Sequence, residues 1–488
     1  MQALSKNYSY NVEKMSSLLR VDKSFDLICR RLQIGKDEAA FYYIDGFIKD
    51  ETMQKIFQYF IGLQGLGKGE GAAECFARSH VPYVEVDVVS SCEKMTLAVL
   101  SGSALMLGST FGEYAIIIDA RTYPSRSTEE PESDKVMQGA KDGFVETLIF
   151  NTALLRRRIR DVRLTMSYKN AGGASGTDIV ICYMDGIADQ KYVDYISKKI
   201  DEMKPSSMTL GFMSLSESLI KRRWYNPFPK IRTIERPDAA AAEILEGKVL
   251  VMCDTSPLVM VLPTSIFDFS QETNDYYFPP LTGSYLRVVR QLVFLLALIL
   301  TPSWYLLLKN PQFIPESLSF IIPTETGQLP IILQLFLTEL AIDGLKLASM
   351  NTPNILSNSL SVIGGLILGE FAVEIGWLSG EVIFYMAVVA IAGFSQQNYE
   401  LGYAFKFLRM LLLALTAIFD VWGYVAGLAL LPILLVSNKT LNGENSYLYP
   451  LIPFNARAFL RLFLRLKKND FRKNDAPAQS QNNVKTYK

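Results

Sequence analysis

The chain has 488 residues, of which 49% are hydrophobic, and its 49 basic residues equal its 49 acidic ones in number. This balance excludes the basic composition typical of nucleic-acid-binding proteins, so we expect no nucleic-acid partner. The length is sufficient for two or three folded units.

Residues 1–284 are predicted to form an α+β cytoplasmic region with two α/β subdomains, 1–165 and 166–284. Met1–Arg31 has no uninterrupted apolar core, so no cleavable signal peptide is expected and this region should stay in the cytoplasm. A breaker cluster, Asn170–Thr177, predicts the subdomain boundary. The predicted elements, in chain order, are helix Met53–Leu63, strand Glu113–Asp119, helix Phe144–Asp161, strand Asp178–Asp185, helices Lys191–Met203 and Asp238–Leu245, and hairpin Lys248–Thr264.

Residue types that carry catalysis or bind metal ions are scarce in this sequence. His80 is the only histidine, and no two cysteines are spaced as C-x-x-C. Gly62–Gly71 resembles a phosphate-binding loop, but Gly69 occupies the position of the Mg²⁺-binding Ser or Thr, so we favour a glycine linker over nucleotide binding. We expect no enzyme, no cofactor and no metal site. Reduced, partly buried thiols are predicted at Cys29, Cys75, Cys92, Cys182 and Cys253.

Residues 285–437 are predicted to form an α-helical polytopic membrane domain. Between residues 291 and 436 only 13 of 146 residues are charged, and nine of these 13 are acidic. Arg287 and Arg290 precede the first span, which fits a cytoplasmic N-terminal region under the positive-inside rule. If both chain ends lie inside, the crossings number four or six, and we favour six segments with room for one re-entrant segment. The predicted spans are Gln291–Leu308, Leu329–Met350, Ser357–Leu378, Glu381–Phe394 and a hairpin at Phe405–Val436 broken near Asp420–Gly423.

The tail after the last span changes composition twice. A juxtamembrane segment, 438–468, contains Arg457, Arg461 and Arg465 at a spacing of four among Phe and Leu residues. This pattern predicts a basic amphipathic helix lying on the anionic cytoplasmic leaflet, with membrane lipids as its partner. Residues 469–488 are polar and are predicted to be disordered.

Acidic residues inside the predicted spans are the first candidates for a functional site. A carboxylate in hydrocarbon costs roughly 2.5–3.5 kcal/mol, so such groups usually face a bundle interior or a water path. Glu339 and Asp343 share one face of the second span with Lys346, and pairing of Asp343 with Lys346 would leave Glu339 less compensated. Glu370 and Glu374 form a second pair. Both pairs fit either a cation path or mere helix–helix attachment and interfacial snorkelling.

Glycines in the third span are candidates for a gate or for close helix packing. Gly365 and Gly369 have small-xxx-small spacing, and Gly364 precedes them in VIGGLILG. Helix packing is one interpretation, and a narrow pore wall with dewettable Leu and Ile side chains is the other.

Several blocks of the chain resemble one known family. The hallmark sets are RRRIRD, with Arg156, Arg157 and Arg158, and ERPD, with Glu235, Arg236, Pro237 and Asp238. The blocks that carry the resemblance are Thr128–Asp161, Asn226–Asp238, Leu337–Pro353, Val362–Gly376 and Tyr399–Arg409. Over about residues 20 to 465, the chain is similar to GerA-type spore germinant receptor A subunits.

The chain departs from the family in a few places. Where family members commonly carry Arg-Gly-Pro-Arg-Glu-Gly, this chain has QGAKDG at 138–143, and a Pro expected before Tyr399 is missing. The stretches Leu306–Pro323 and Tyr447–Asn455 favour a sporulation-protein branch over subunits of complete three-subunit receptors.

The resemblance implies an ion channel of the spore inner membrane, with the large N-terminal domain on the cytoplasmic side. It further implies a ring homo-oligomer, expected to be a pentamer, around a path for monovalent cations. A companion small membrane protein or germinant receptor subunits would gate or stabilise the ring. For this branch we expect ion release that amplifies germination rather than primary nutrient sensing. The alternative is a non-conducting membrane scaffold that clusters or stabilises germinant receptors.

Overall fold

A computed structural model describes residues 3–464 except 49, 70, 123–138, 204–210, 221–223, 273, 324–326, 352–363, 366–370, 397, 439 and 442–445. The described chain divides into two units. A sheet unit comprises the residues up to 221 together with 231–264, and a helical unit comprises 222–230 and 265–467. The helical unit therefore begins at residue 265, earlier than the predicted 285, and it includes a short segment from the N-terminal half.

The first half of the sheet unit is a five-stranded antiparallel sheet with helices on both faces. Adjacent residues point to opposite faces, so Phe41 packs against Phe57 and Phe60 while Tyr42 donates a hydrogen bond to the carbonyl of Val12. The strands are β1 (Leu27–Ile34), β2 (Asp37–Ile44), β3 (Val86–Val89), β4 (Ala104–Gly108) and β5 (Ala115–Ile118), in the order β1-β2-β4-β5-β3. The helices are α1 (Tyr8–Leu19), α2 (Asp50–Ile61), α3 (Ala72–His80) and α4 (Cys92–Leu100).

The second half of the sheet unit repeats this arrangement with another antiparallel sheet. Its strands are β6 (Leu164–Ala171), β7 (Thr177–Met184), β8 (Arg232–Ile234), β9 (Val249–Cys253) and β10 (Val259–Leu262), in the order β6-β7-β9-β10-β8. Its helices are α5 (Leu148–Arg158), α6 (Gln190–Asp201), α7 (Phe212–Leu219) and α8 (Pro237–Leu245). The predicted hairpin at Lys248–Thr264 is confirmed as β9 and β10.

The breaker cluster Asn170–Thr177 is not a subdomain boundary, and that prediction was wrong. Ala171 pairs with Thr177 across an antiparallel ladder, so the cluster is the turn of the β6–β7 hairpin. Gly172 and Gly176 both have positive φ there, which glycine adopts without steric penalty. The predicted boundary after residue 165 likewise falls inside β6.

Among its described residues, the helical unit contains two helices that are long and apolar enough to cross a membrane, α10 (Pro280–Lys309) and α14 (Tyr399–Ser437). Only 28% and 6% of their most apolar windows are buried, whereas a core helix of a soluble protein would be mostly buried. This confirms the predicted fold class, an α+β region followed by a helical membrane domain. The other helices are α9 (Asn274–Tyr277), α11 (Ile331–Asn351), α12 (Ala372–Glu374), α13 (Gly380–Phe394) and α15 (Ala456–Phe463), with 3₁₀ turns at Ile266–Ser270, Pro311–Phe313 and Glu316–Ile321.

Helix α14 is a hairpin of two helices rather than one straight rod. Asp420 has non-helical dihedral angles, φ 56° and ψ −132°. In a straight helix, Leu412 and Gly427 would be about 22 Å apart along the axis. Instead, a Cβ added at Gly427 would lie only 2.4 Å from a side-chain methyl of Leu412, so the two arms of the helix lie side by side. The predicted break near Asp420–Gly423 is confirmed. The predicted span Ser357–Leu378 lies largely outside the described residues.

Candidate functional site

Four charged side chains meet between α11 and α14, inside the helical unit. Arg409 donates from Nη2 to both carboxylate oxygens of Glu339, at 2.7 Å each. Lys406 lies 3.1 Å from Glu339 and also pairs with Asp343. We call Glu339, Asp343, Lys406 and Arg409 the charge quartet. Its two negative and two positive charges balance.

The quartet is anchored to a third helix and is mostly hidden from solvent. Arg409 also donates from Nη1 to the backbone carbonyl of Ala297 on α10, at 2.6 Å. The side chains of Arg409 and Glu339 are 7% and 9% exposed, whereas that of Asp343 is 33% exposed. Asp343 therefore lies at the outer edge of an otherwise buried network.

The predicted pairing of Asp343 with Lys346 was wrong. Asp343 pairs with Lys406 instead, because α14 packs against α11 and brings the ammonium group of Lys406 to the carboxylate. The Lys346 ammonium lies over three aromatic rings, 4.6 Å from the centroid of Tyr403, 5.0 Å from Tyr399 and 5.9 Å from Phe394. Such cation–π contacts stabilise the Lys346 ammonium, for which the described residues supply no carboxylate within ion-pair distance. Glu339 is therefore fully compensated rather than the least compensated charge.

The second predicted carboxylate pair is not joined to the quartet by any described contact. Glu374 ends the short helix α12 and is exposed. Glu370 lies outside the described residues. A role for either residue in ion passage stays a prediction.

One glycine of the third predicted span is placed at a close helix contact. A Cβ added at Gly364 would lie 2.3 Å from a methyl carbon of Leu345 on α11, and Gly364 is buried. Gly365 is exposed and would meet nothing within 4 Å. Gly369 lies outside the described residues. The described part of this motif therefore favours packing at Gly364, while a gating role stays a prediction.

One member of the hallmark arginine run is buried inside the sheet unit. Arg156 is fully buried and forms a bidentate pair with Asp26, at 2.8 Å from Nε and 3.0 Å from Nη2. The same guanidinium donates to the Ser24 hydroxyl and to the backbone carbonyls of Asp161 and Leu164. Arg156 thereby joins the segment before β1 of the first sheet to the start of β6 in the second.

The neighbouring arginines are more accessible. Arg158 pairs with Asp142 at 2.6 Å, and Arg157 and Arg160 are exposed. Arg160 reaches the Ser101 hydroxyl at 3.3 Å.

The second hallmark, ERPD, forms the start of α8. Pro237 occupies the first helical turn, so the helix begins one residue earlier than predicted. Arg236 is fully buried, pairs with Asp238 at 2.8 Å and donates to the carbonyl of Ala140 at 2.7 Å. The amide of Phe144 donates to the carbonyl of Glu235. The ERPD set therefore contacts the family-like block Thr128–Asp161 inside the sheet unit.

A carboxylate on α8 completes this polar core. Burial alone would raise the pKa of Glu243, but the charges of Lys248 and Arg232 outweigh burial and lower the pKa to about 2. The Glu243 carboxylate lies 2.9 Å from the Lys248 ammonium and 2.5 Å from the Arg232 guanidinium. Glu243 is therefore ionised throughout the neutral range and acts as a structural acceptor.

The remaining candidate motifs carry no site in the described part of the chain. The glycine loop follows helix α2 rather than a strand, and the Leu66 amide within it donates to Asp37, so it lacks the strand–loop–helix setting of a phosphate-binding loop. All five cysteines are free thiols, three of them buried. No group of three or more His, Cys, Asp or Glu among the described residues is placed to hold a metal ion.

Comparison with known proteins decides the family. The family model of the Bacillus/Clostridium GerA spore germination protein matches residues 14–476. The chain belongs to the GerA family. Its relatives include Stage V sporulation protein AF of Bacillus subtilis (strain 168), 36% identical over 95% of this chain and 93% of that protein. Spore germination protein KA of the same organism is 25% identical over 93% and 83%.

The similarity to Stage V sporulation protein AF agrees with the sporulation-protein branch that the stretches Leu306–Pro323 and Tyr447–Asn455 predict. A solved structure, the N-terminal domain of the A subunit of the Bacillus megaterium spore germinant receptor GerK3, covers 54% of this GerA-family chain and 96% of its own. That alignment has a TM-score of 0.40 and 22% identity.

Sequence reasoning missed half of the charge quartet. Lys406 and Arg409 lie in the family-like block Tyr399–Arg409, while Glu339 and Asp343 lie in the block Leu337–Pro353. The available signal was charge complementarity: two acids in one apolar block and two bases in another. Each block was considered by itself, so this pairing was not found.

Proposed function

We propose that this GerA-family protein is an oligomeric channel, or channel subunit, that releases monovalent cations across the spore inner membrane and amplifies germination. The observation that carries the proposal is the carboxylate of Asp343, which is 33% exposed at the edge of the charge quartet. A carboxylate facing lipid costs roughly 2.5–3.5 kcal/mol. Contact with water in a path enclosed by several copies would remove that penalty.

The ion pair between Asp343 and Lys406 gives the proposed channel a closed state. These residues lie on different helices, α11 and α14, so separating the two helices would free Asp343. The separation would be confined to the turn that carries Lys406, so that Glu339 keeps its contact with Arg409 one turn away. In a ring of copies, the freed Asp343 carboxylates would enrich cations at a narrow path.

The proposal extends to the setting of the channel, and membership in the GerA family supports it. The copies would form a ring, expected to be a pentamer, with the sheet units on the cytoplasmic side. A companion small membrane protein or germinant receptor subunits would bind the ring within the lipid bilayer. No chemical reaction is part of this proposal, because transport would be passive and no enzyme activity is invoked.

A flux assay in vesicles tests the proposal. The full-length protein, reconstituted in liposomes loaded with potassium, should release potassium, and Asp343→Asn should change the rate or the preference for cations over anions. Glu316→Gln is the matched control, since Glu316 is an exposed carboxylate of the same unit outside its long helices. Absence of flux from correctly assembled protein would contradict the proposal.

The non-conducting scaffold remains the second candidate because of one observation. The charge quartet is neutral, and Glu339 is buried and accepts from Arg409 in a bidentate geometry, as in a fixed structural network. A scaffold would carry no current in the same vesicles. It would still hold receptor subunits together in membrane extracts.

A further inference from the structure

An unusually exposed tryptophan lies in the short segment that joins the helical unit from the N-terminal half. Trp224 is 97% exposed, and its ring meets that of Tyr225 edge-on with centroids 6.1 Å apart. A bare indole in water is unfavourable, since large aromatic side chains gain most from leaving water. Its exposure therefore indicates a partner that the described residues of the chain do not supply.

The segment that carries the indole is attached to the end of α14. Asn226 donates from its side chain to the carbonyl of Leu434 at 3.0 Å and to the hydroxyl of Ser437 at 3.3 Å. Just after it, Pro229 accepts from the buried hydroxyl of Tyr447 at 2.6 Å. Trp224 thus lies two residues from a fixed contact with the last turn of an apolar helix.

The second arm of the α14 hairpin, residues 421–437, is long enough to place the C-terminal end of α14 near a membrane surface. Residues 421–437 span about 25 Å at about 1.5 Å per residue. That length is close to the ~30 Å thickness of a bilayer hydrocarbon core. If the tip at Asp420 lies near one surface, the contact of Asn226 with Leu434 lies near the other.

A second apolar segment lies at the same end of the helical unit. An aromatic row runs into helix α15, in which Phe454 contacts Phe459 and Phe459 contacts Phe463. Arg287, in the first turns of α10, donates to the carbonyl of Leu464 at 3.4 Å. Exposed apolar side chains of this segment are Leu451, Ile452, Phe454, Leu460 and Leu464. The sequence interleaves them with Arg457, Arg461 and Arg465.

We propose that Trp224 and the segment Leu451–Leu464 form one lipid-binding collar that rests in the headgroup region of an anionic leaflet. Tryptophan and tyrosine favour this region because the ring is apolar while its N–H or O–H group remains hydrated. The interleaved arginines supply the complementary charge for acidic headgroups. A lipid surface satisfies both features, whereas an aqueous setting would satisfy only the arginines.

Depth-dependent fluorescence quenching in vesicles tests the collar. The full-length protein is reconstituted in vesicles of phosphatidylcholine and phosphatidylglycerol that carry spin labels at a shallow or a deep acyl position. The signal of Trp224 is obtained as the difference between the wild type and Trp224→Phe, which leaves Trp304, Trp377 and Trp422 unchanged. The control is the difference between the wild type and Trp304→Phe. Trp304 is 3% exposed, and its indole N–H donates to the carbonyl of Ile321 within the helical unit.

The collar predicts that shallow labels quench Trp224 about twofold more than deep labels, as expected for a ring at headgroup level. Quenching of Trp224 by aqueous iodide with no quenching by lipid labels would overturn the proposal, because the indole would then lie in water. Protection from both iodide and lipid labels would also overturn it, since a second copy of the chain would then cover the ring. The result does not depend on ion flux, so failure of the channel proposal leaves this test intact.

Discussion

Replacing Arg409 by methionine should destabilise the helical unit strongly. The substitution removes two 2.7 Å hydrogen bonds to Glu339 and the 2.6 Å bond to the carbonyl of Ala297. Breaking one partner of a buried ion pair costs about 3–5 kcal/mol, because the remaining charge is left uncompensated. Lys406 still lies 3.1 Å from Glu339, so we expect a loss near the lower end, about 3 kcal/mol.

A double-mutant cycle separates this effect from a simple loss of packing. Glu339→Gln removes the stranded charge, so Arg409→Met combined with Glu339→Gln should recover most of the loss. The free energy of unfolding is measured by denaturant titration of the purified protein in detergent micelles. Glu316→Gln serves as the control for a carboxylate outside the quartet. If the two substitutions are strictly additive, Arg409 does not stabilise the fold through Glu339 and the reasoning is refuted.

Three further substitutions test other contacts. Gly364→Ala should lower the unfolding free energy by about 1–3 kcal/mol, because the added Cβ would overlap a leucine methyl on α11. Gly365→Ala should leave the unfolding free energy unchanged or raise it slightly. Equal effects of the two substitutions would contradict the packing role of Gly364. Arg156→Met should lower the unfolding free energy of the sheet unit by about 3–5 kcal/mol while exposed Arg157→Met changes it little, and matched losses would refute the buried role. The pKa of Glu243 is lowered in the folded protein, so its ionised carboxylate stabilises the fold at pH values above the ordinary pKa of 4.5, and this stabilisation is lost as the pH falls toward 2. Glu243→Gln should therefore flatten the dependence of the unfolding free energy on pH across that range. An unchanged acid profile would count against the lowered pKa.

Local patterns predicted several elements of the fold within a few residues. The strand at Asp178–Asp185 is β7, the helix at Lys191–Met203 is α6, and the break near Asp420 is the tip of the α14 hairpin. Periodicity and breaker residues act over short stretches, so they are visible in a single sequence. The same local character explains the error at Asn170–Thr177, because Asn and Gly suit a hairpin turn as well as a linker.

The contacts of the candidate site were harder to predict because they join distant parts of the chain. Arg156 pairs with Asp26, 130 residues away, and nothing in the run of arginines indicates which member is buried. Likewise, Arg409 meets Glu339 across 70 residues, so spacing within α11 alone suggested the wrong partner for Asp343. Only the packing of the helices decides which charges compensate one another.

Single-channel recording of the purified oligomer, with its mass measured in the same preparation, tests the channel proposal most directly. We predict an assembly of several copies that passes cation-selective current, with a reversal potential in a potassium gradient that shifts toward zero in Asp343→Asn. A strictly monomeric protein, or an assembly that passes no current in any condition, would contradict the proposal and leave a role in anchoring or clustering.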